Sequence, residues 1–142
     1  MKDEGSGMKE RSHQKLEVYR LAHDLALRVH FLTLKLPKFE LYEEGSQLRR
    51  CSKSVSSQIV EGHALRHYKA EYLHYLAPAY GSAEETIEHL TYLHDTGSVA
   101  RLSGECQALI EEYAVLCRKL FNYIRSVQRQ HDPTWPSDED ES

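Results

Sequence analysis

Nowhere in its 142 residues does this chain hold the roughly 18 consecutive apolar residues that a membrane-crossing helix requires. Its N-terminus has no apolar segment of the kind a secretory signal carries. Only three cysteines occur (Cys51, Cys106, Cys117), so any disulfide scheme leaves one unpaired, and a reducing, cytoplasmic setting is expected. All three fall on apolar helical stripes, which predicts buried, inert thiols. The period-two alternation of strands is missing. So are a Gly-rich phosphate loop, a CxxC pair and a nucleophile with an evident base. The expectation is therefore a protein that is not an enzyme and takes no cofactor.

What is present is 40% hydrophobic and 28% charged, the balance of a globular chain, and its length suits one domain with one core. The formal charge of -4 is concentrated. Five acids and no Lys or Arg lie in HDPTWPSDEDES, residues 131–142, read as an acidic, disordered tail. The rest of the chain has 18 basic against 17 acidic side chains. MKDEGSGMKE at the other end is polar and Gly/Ser-rich, so residues 1–13 are read as a flexible leader. Between them, 14–130 carries four helical periodicities. The first runs from Gln14 to Leu36 on Val18, Ala22, Leu25, Val29, Leu32 and Leu36, with Pro37 as its stop and a loop to Gly45. A second begins near Ser46 and is expected to end at Gly62. The third spans His67–Thr96 on Tyr72, Leu76, Ala79, Ala83, Ile87, Leu90 and Leu93, with an interruption at Pro78 and a stop at Gly97. A fourth opens at Ser103 and runs to Gln130 on Cys106, Leu109, Tyr113, Leu116, Leu120, Ile124 and Val127. Short connections between long amphipathic helices predict an all-α, antiparallel up-down-up-down four-helix bundle.

The second helix is unusual in composition. LRRCSKSVSSQIVEG, residues 48–62, places Leu48, Cys51, Val55 and Ile59 on one face and fills the gaps with Ser52, Ser54, Ser56 and Ser57. Serine is a mediocre helix former, but small side chains admit the close approach of another surface. Arg49, Arg50 and Lys53 cluster three cations here and are the candidates for contact with nucleic-acid phosphates. Arg50, Ser54, Ser57 and Glu61 recur at helical steps, putting a cation and an anion three turns apart on one edge. In a cyclic oligomer such an edge is self-complementary, and these four are the candidate subunit contacts. The plainer alternative is that Arg50 and Glu61 only face water, where ion pairs contribute little.

The order LxVYxLAxxL (Leu16–Leu25), LTxxLP (Leu32–Pro37) and QLRRCSxSVSSQIVEG (Gln47–Gly62) resembles the four-helix-bundle proteins of bacterial 23S rRNA intervening sequences. Glu71-Tyr72 with Leu76, then Gly81-Ser82 with Glu85 and Leu90, is similar to the family's third helix, so the likeness spans Leu16 to Gln130. It implies a small, non-enzymatic, cytoplasmic bundle assembling as a homopentameric ring. It also implies kinship with accessory proteins of diversity-generating retroelements, whose partners are a reverse transcriptase and nucleic acid. Gln58 and Val60 stand where the family more often has Asn and Ala, and His67 where a serine often opens the third helix. With a body near neutrality, the expected binding to RNA or DNA is weak and sequence-tolerant, with the tail competing at low ionic strength.

Two other classes compete. One is a protein adaptor without nucleic-acid binding. The other is a histidine metal site, suggested by nine histidines in a bundle. A di-iron bundle needs two Glu-x-x-His motifs, yet Glu71-x-x-His74 is the single copy in the helical body, and a turn after Gly62 separates His63 from His67, Glu71 and His74. No metal ligand, membrane contact or small-molecule substrate is therefore assigned.

Overall fold

Every periodic segment of the sequence becomes helix in the computed structural model, which describes residues 9–130. A single 3-10 turn, Ser12–Lys15, precedes α1 (Glu17–Thr33). Pro37 caps a short α2 (Lys38–Tyr42), and α3 spans Glu44–Ala64. After a turn come α4 (Lys69–Asp95), a second 3-10 turn (Ala100–Leu102) and α5 (Ser103–Gln130). There is no strand among the described residues.

The four long helices run alternately up and down. Across α1 and α3, Ser12 meets His63 and Thr33 meets Arg49. Across α3 and α4, Glu44 meets His89 and Ser54 meets Ser82. Lys69 of α4 reaches the Gln128 carbonyl of α5, and the hydroxyls of Tyr72 and Tyr123 bond to each other. Glu17 pairs with Lys119 and Lys35 with Glu105 where α5 returns beside α1. Early residues of each helix thus meet late residues of the next, so α3 and α5 lie diagonally across the bundle.

The interior is built from the residues that the spacing selected. Leu25, Val29 and Leu32 of α1, Leu48, Val55 and Ile59 of α3, Leu76 and Leu90 of α4, and Leu116 and Leu120 of α5 are almost fully buried. Each contributes on the order of 1.5–3 kcal/mol of transfer free energy against the ordering entropy of the chain.

Several boundaries differ from the sequence reading, each for a local reason. The fold starts at Ser12, ahead of Gln14, because the Ser12 hydroxyl lies 2.9 Å from His63 Nε2 and ties this turn to α3. The expected loop after Pro37 contains α2. Gly62 does not end its helix; α3 continues to Ala64. A Cβ at Gly62 would sit 3.0 Å from Tyr75 Cβ and 3.3 Å from Tyr72 Cδ1, so the glycine serves the close crossing of α3 on α4. Gly97 does terminate α4, at φ 69. Pro78 lies exposed inside α4 and does not divide it. Of the expected leader and tail, residues 1–8 and 131–142 lie outside the described residues.

Candidate interaction surfaces

The three cations of α3 do not form one patch. Successive helical residues differ by about 100°, so Arg49 and Arg50 cannot share a face. Arg49 falls on the α1 side, half-buried, where its guanidinium donates to Thr33 Oγ1 at 3.0 Å and to the Leu41 carbonyl at 3.2 Å. It ties α1, the segment around α2 and α3 together, and so is withdrawn from phosphate contact. Arg50 and Lys53 remain, exposed and one turn apart.

The edge Arg50, Ser54, Ser57, Glu61 is divided in the same way. Arg50, Ser57 and Glu61 are exposed along one stripe, which also includes Lys53. Ser54 turns toward α4, its Oγ 3.0 Å from Ser82 Oγ, with Gln58 Nε2 at 3.5 Å. Arg50 and Glu61 make no ion pair among the described residues and stand about 16 Å apart along the axis. The outer face of α3 thus presents two cations near one end, small residues between, and a carboxylate at the other end.

A second surface was not singled out from the sequence. Leu27, Phe31 and Leu34 repeat the 4–3 spacing of the core stripe two positions later, which on a helix is about 200° round, on the face away from the core. All three are exposed, Phe31 by 60%. Beyond Pro37, α2 exposes Phe39 and Tyr42, the latter by 68%, and Tyr92 is exposed near the end of α4. These residues belong to the same end of the bundle, because α1 ends, α3 begins and α4 ends there. The signal was legible in α1 as a second apolar stripe.

Several titratable side chains are engaged in structure. His89 bridges α4 to α3, with Nδ1 2.7 Å from Glu44 Oε1 and Nε2 3.7 Å from Glu85 Oε2. His94 lies 3.0 Å from Asp95. His63 is buried in α3, His67 lies in the following turn, and Glu71 and His74 are exposed on α4. Among the described residues no group of three or more His, Cys, Asp and Glu is arranged to hold a metal ion. All three cysteines are buried and free. Burial raises the Cys51 and Cys106 thiols, and burial with the neighbouring Glu84 pushes Cys117 up to about 12. Such thiols are poor nucleophiles near neutral pH. No described helix is long and apolar enough to cross a membrane.

With this geometry in place, the comparisons with known proteins add one finding. The family model described as 23S rRNA-intervening sequence protein matches residues 14–122, from the first 3-10 turn into the second half of α5. No curated protein matches the chain.

Proposed function

Since the chain belongs to the family of 23S rRNA-intervening sequence proteins, we propose that it is a non-enzymatic, self-assembling four-helix scaffold whose partner is nucleic acid, RNA above all. The observation that carries self-assembly is the exposed run Leu27, Phe31, Leu34, continued by Phe39 and Tyr42. Water-facing apolar surface of this kind is stabilised by covering it, and a second subunit supplies the cover. A head-to-tail contact places this face of one subunit against a different face of the next and closes a ring when the rotation permits. The family likeness favours five subunits. The stripe with Arg50, Ser57 and Glu61 supplies a polar border for such a contact. A ring repeats each exposed cation around its axis, so a near-neutral subunit still presents several phosphate contacts at once.

Support for a non-enzymatic protein in a reducing, cytoplasmic setting comes from the three free cysteines, buried and with thiols raised by burial. The same apolar face also favours a second reading, an adaptor whose partner is another protein, such as a reverse transcriptase. Light scattering of the full chain at micromolar concentration tests assembly: the expected mass is near five chains, about 80 kDa. Phe31→Lys/Leu34→Lys is expected to lower it. A wild-type mass of 16.5 kDa would overturn the scaffold. Assembly without RNA binding at low salt would select the adaptor.

A further inference from the structure

The two sides of α5 treat charge differently. Facing α1, its ionic side chains are matched: Glu105 with Lys35 at 3.3 Å, Glu112 with Arg28 at 2.7 Å and Lys119 with Glu17 at 3.0 Å. From Ala114 to Gln130 the helix contains no Asp or Glu at all. On its outer side, Arg118, Arg125 and Arg129 are exposed and make no ion pair among the described residues. Between them Phe121 is 46% exposed. The Arg125 guanidinium lies over one face of the Phe121 ring, 5.8 Å from its centroid, and the Tyr80 ring of α4 lies 6.0 Å from it, tilted by 52°, which leaves the other face for a ligand. Glu84, beside Tyr80, borders the strip toward the middle of the bundle.

Cations near a helix C-terminus complement the helix dipole, which accounts for Arg129. That effect fades within the last turn, so it does not account for Arg118, about three turns earlier, nor for an aromatic ring left in water among arginines. We infer that Arg118, Phe121, Arg125 and Arg129, with Tyr80 at the edge, form a binding strip for single-stranded nucleic acid. Phe121 offers a ring on which an unpaired base stacks, and the three guanidinium groups take phosphates on either side of it. The helical rise spaces them about 10 Å and 6 Å apart, so a strand lying along α5 meets them in succession. A duplex keeps its bases stacked on each other and has none to offer Phe121. The strip rests on the reading of the protein as a nucleic-acid scaffold, but it lies diagonally across the bundle from Arg50 and Lys53, which makes the two surfaces separable.

The test is fluorescence anisotropy with labelled 20-nucleotide mixed-sequence RNA, the matching single-stranded DNA and the matching duplex, over a salt series. The full-length protein is compared with Arg118→Ala/Arg125→Ala/Arg129→Ala, Phe121→Leu and Arg50→Ala/Lys53→Ala. Circular dichroism and light scattering verify that each variant keeps fold and mass. Wild type is expected to prefer both single strands to duplex. The triple variant is expected to lose at least tenfold in affinity, with the log–log salt slope shallower by about 2. Phe121→Leu is expected to lose about fivefold or more for single strands without a change of slope. Arg50→Ala/Lys53→Ala, which removes two cations on a different face, is expected to lose clearly less affinity than the triple variant. If only Arg50→Ala/Lys53→Ala loses affinity, the strip is wrong and the nucleic-acid scaffold stands. If Phe121→Leu is silent and duplex or an acidic peptide competes as well as single strands, stacking is wrong. If wild type binds nothing at low salt, both fall.

Discussion

At the scale of single residues, the two glycines Gly62 and Gly81 look alike in the sequence and differ in the fold. Gly62 is wedged against Tyr72 and Tyr75, whereas a Cβ at Gly81 meets nothing within 4 Å. Gly62→Ala is expected to destabilise by about 1–3 kcal/mol, because the crowded α3–α4 crossing has to open. Gly81→Ala, inside an exposed stretch of α4, is expected to stabilise by about 0.5–1 kcal/mol by reducing unfolded-state entropy. Urea unfolding of the two variants checks both signs. The cysteines give a pH dependence. With Cys117 pushed up to about 12 from an ordinary 9.0, the native state keeps its proton where the unfolded chain has released it. Stability is therefore fully present below pH 9 and falls as pH rises from there toward about 12, with Cys51 and Cys106 acting in the same direction. Urea midpoints measured at pH 8, 9.5 and 10.5 are expected to decline in that order. A rise would contradict the burial of these thiols.

At the scale of elements, the helices were legible because their apolar steps are long and regular, and Gly97 marks a stop that the structure keeps, whereas Ser103 opens α5 as its first helical residue and does not cap it. Gly62 misled because a glycine wanted for close packing and one wanted for a helix end are the same letter. The positions of Tyr72 and Tyr75, ten and thirteen residues on, distinguish them. Arg49 and Arg50 misled similarly. Adjacent in sequence, they diverge by about 100°, and the direction of the α1 neighbour decides which is held inside. Arg49→Ala removes two hydrogen bonds that join the end of α1 and the Leu41 carbonyl to α3. It is expected to cost about 1–3 kcal/mol in urea unfolding while leaving nucleic-acid affinity unchanged. An affinity loss at constant stability would return Arg49 to the phosphate-contacting set.

At the scale of the whole molecule, charge is sorted along the bundle as well as around it. The second half of α5 is purely basic, and α4 carries exposed Glu84, Glu85 and Glu88 nearer its other end. Net charge alone conceals this, since the five acids of residues 131–142 outweigh a body that is otherwise slightly positive. Those acids follow α5 in the sequence, the first of them, Asp132, three residues beyond Arg129. Like charges oppose the approach of a polyanion over a Debye length of about 10 Å at 0.1 M salt, and over a longer range at lower salt. Ending the chain at Gln130 is expected to raise affinity for single-stranded RNA severalfold at 50 mM salt, with the gain vanishing toward 0.5 M as screening shortens the range. Anisotropy titrations of full-length and shortened protein at both salt concentrations, with mass checked by light scattering, decide it. Equal affinities at low salt would mean that the acidic segment and the basic strip of α5 act on separate sides of the assembly.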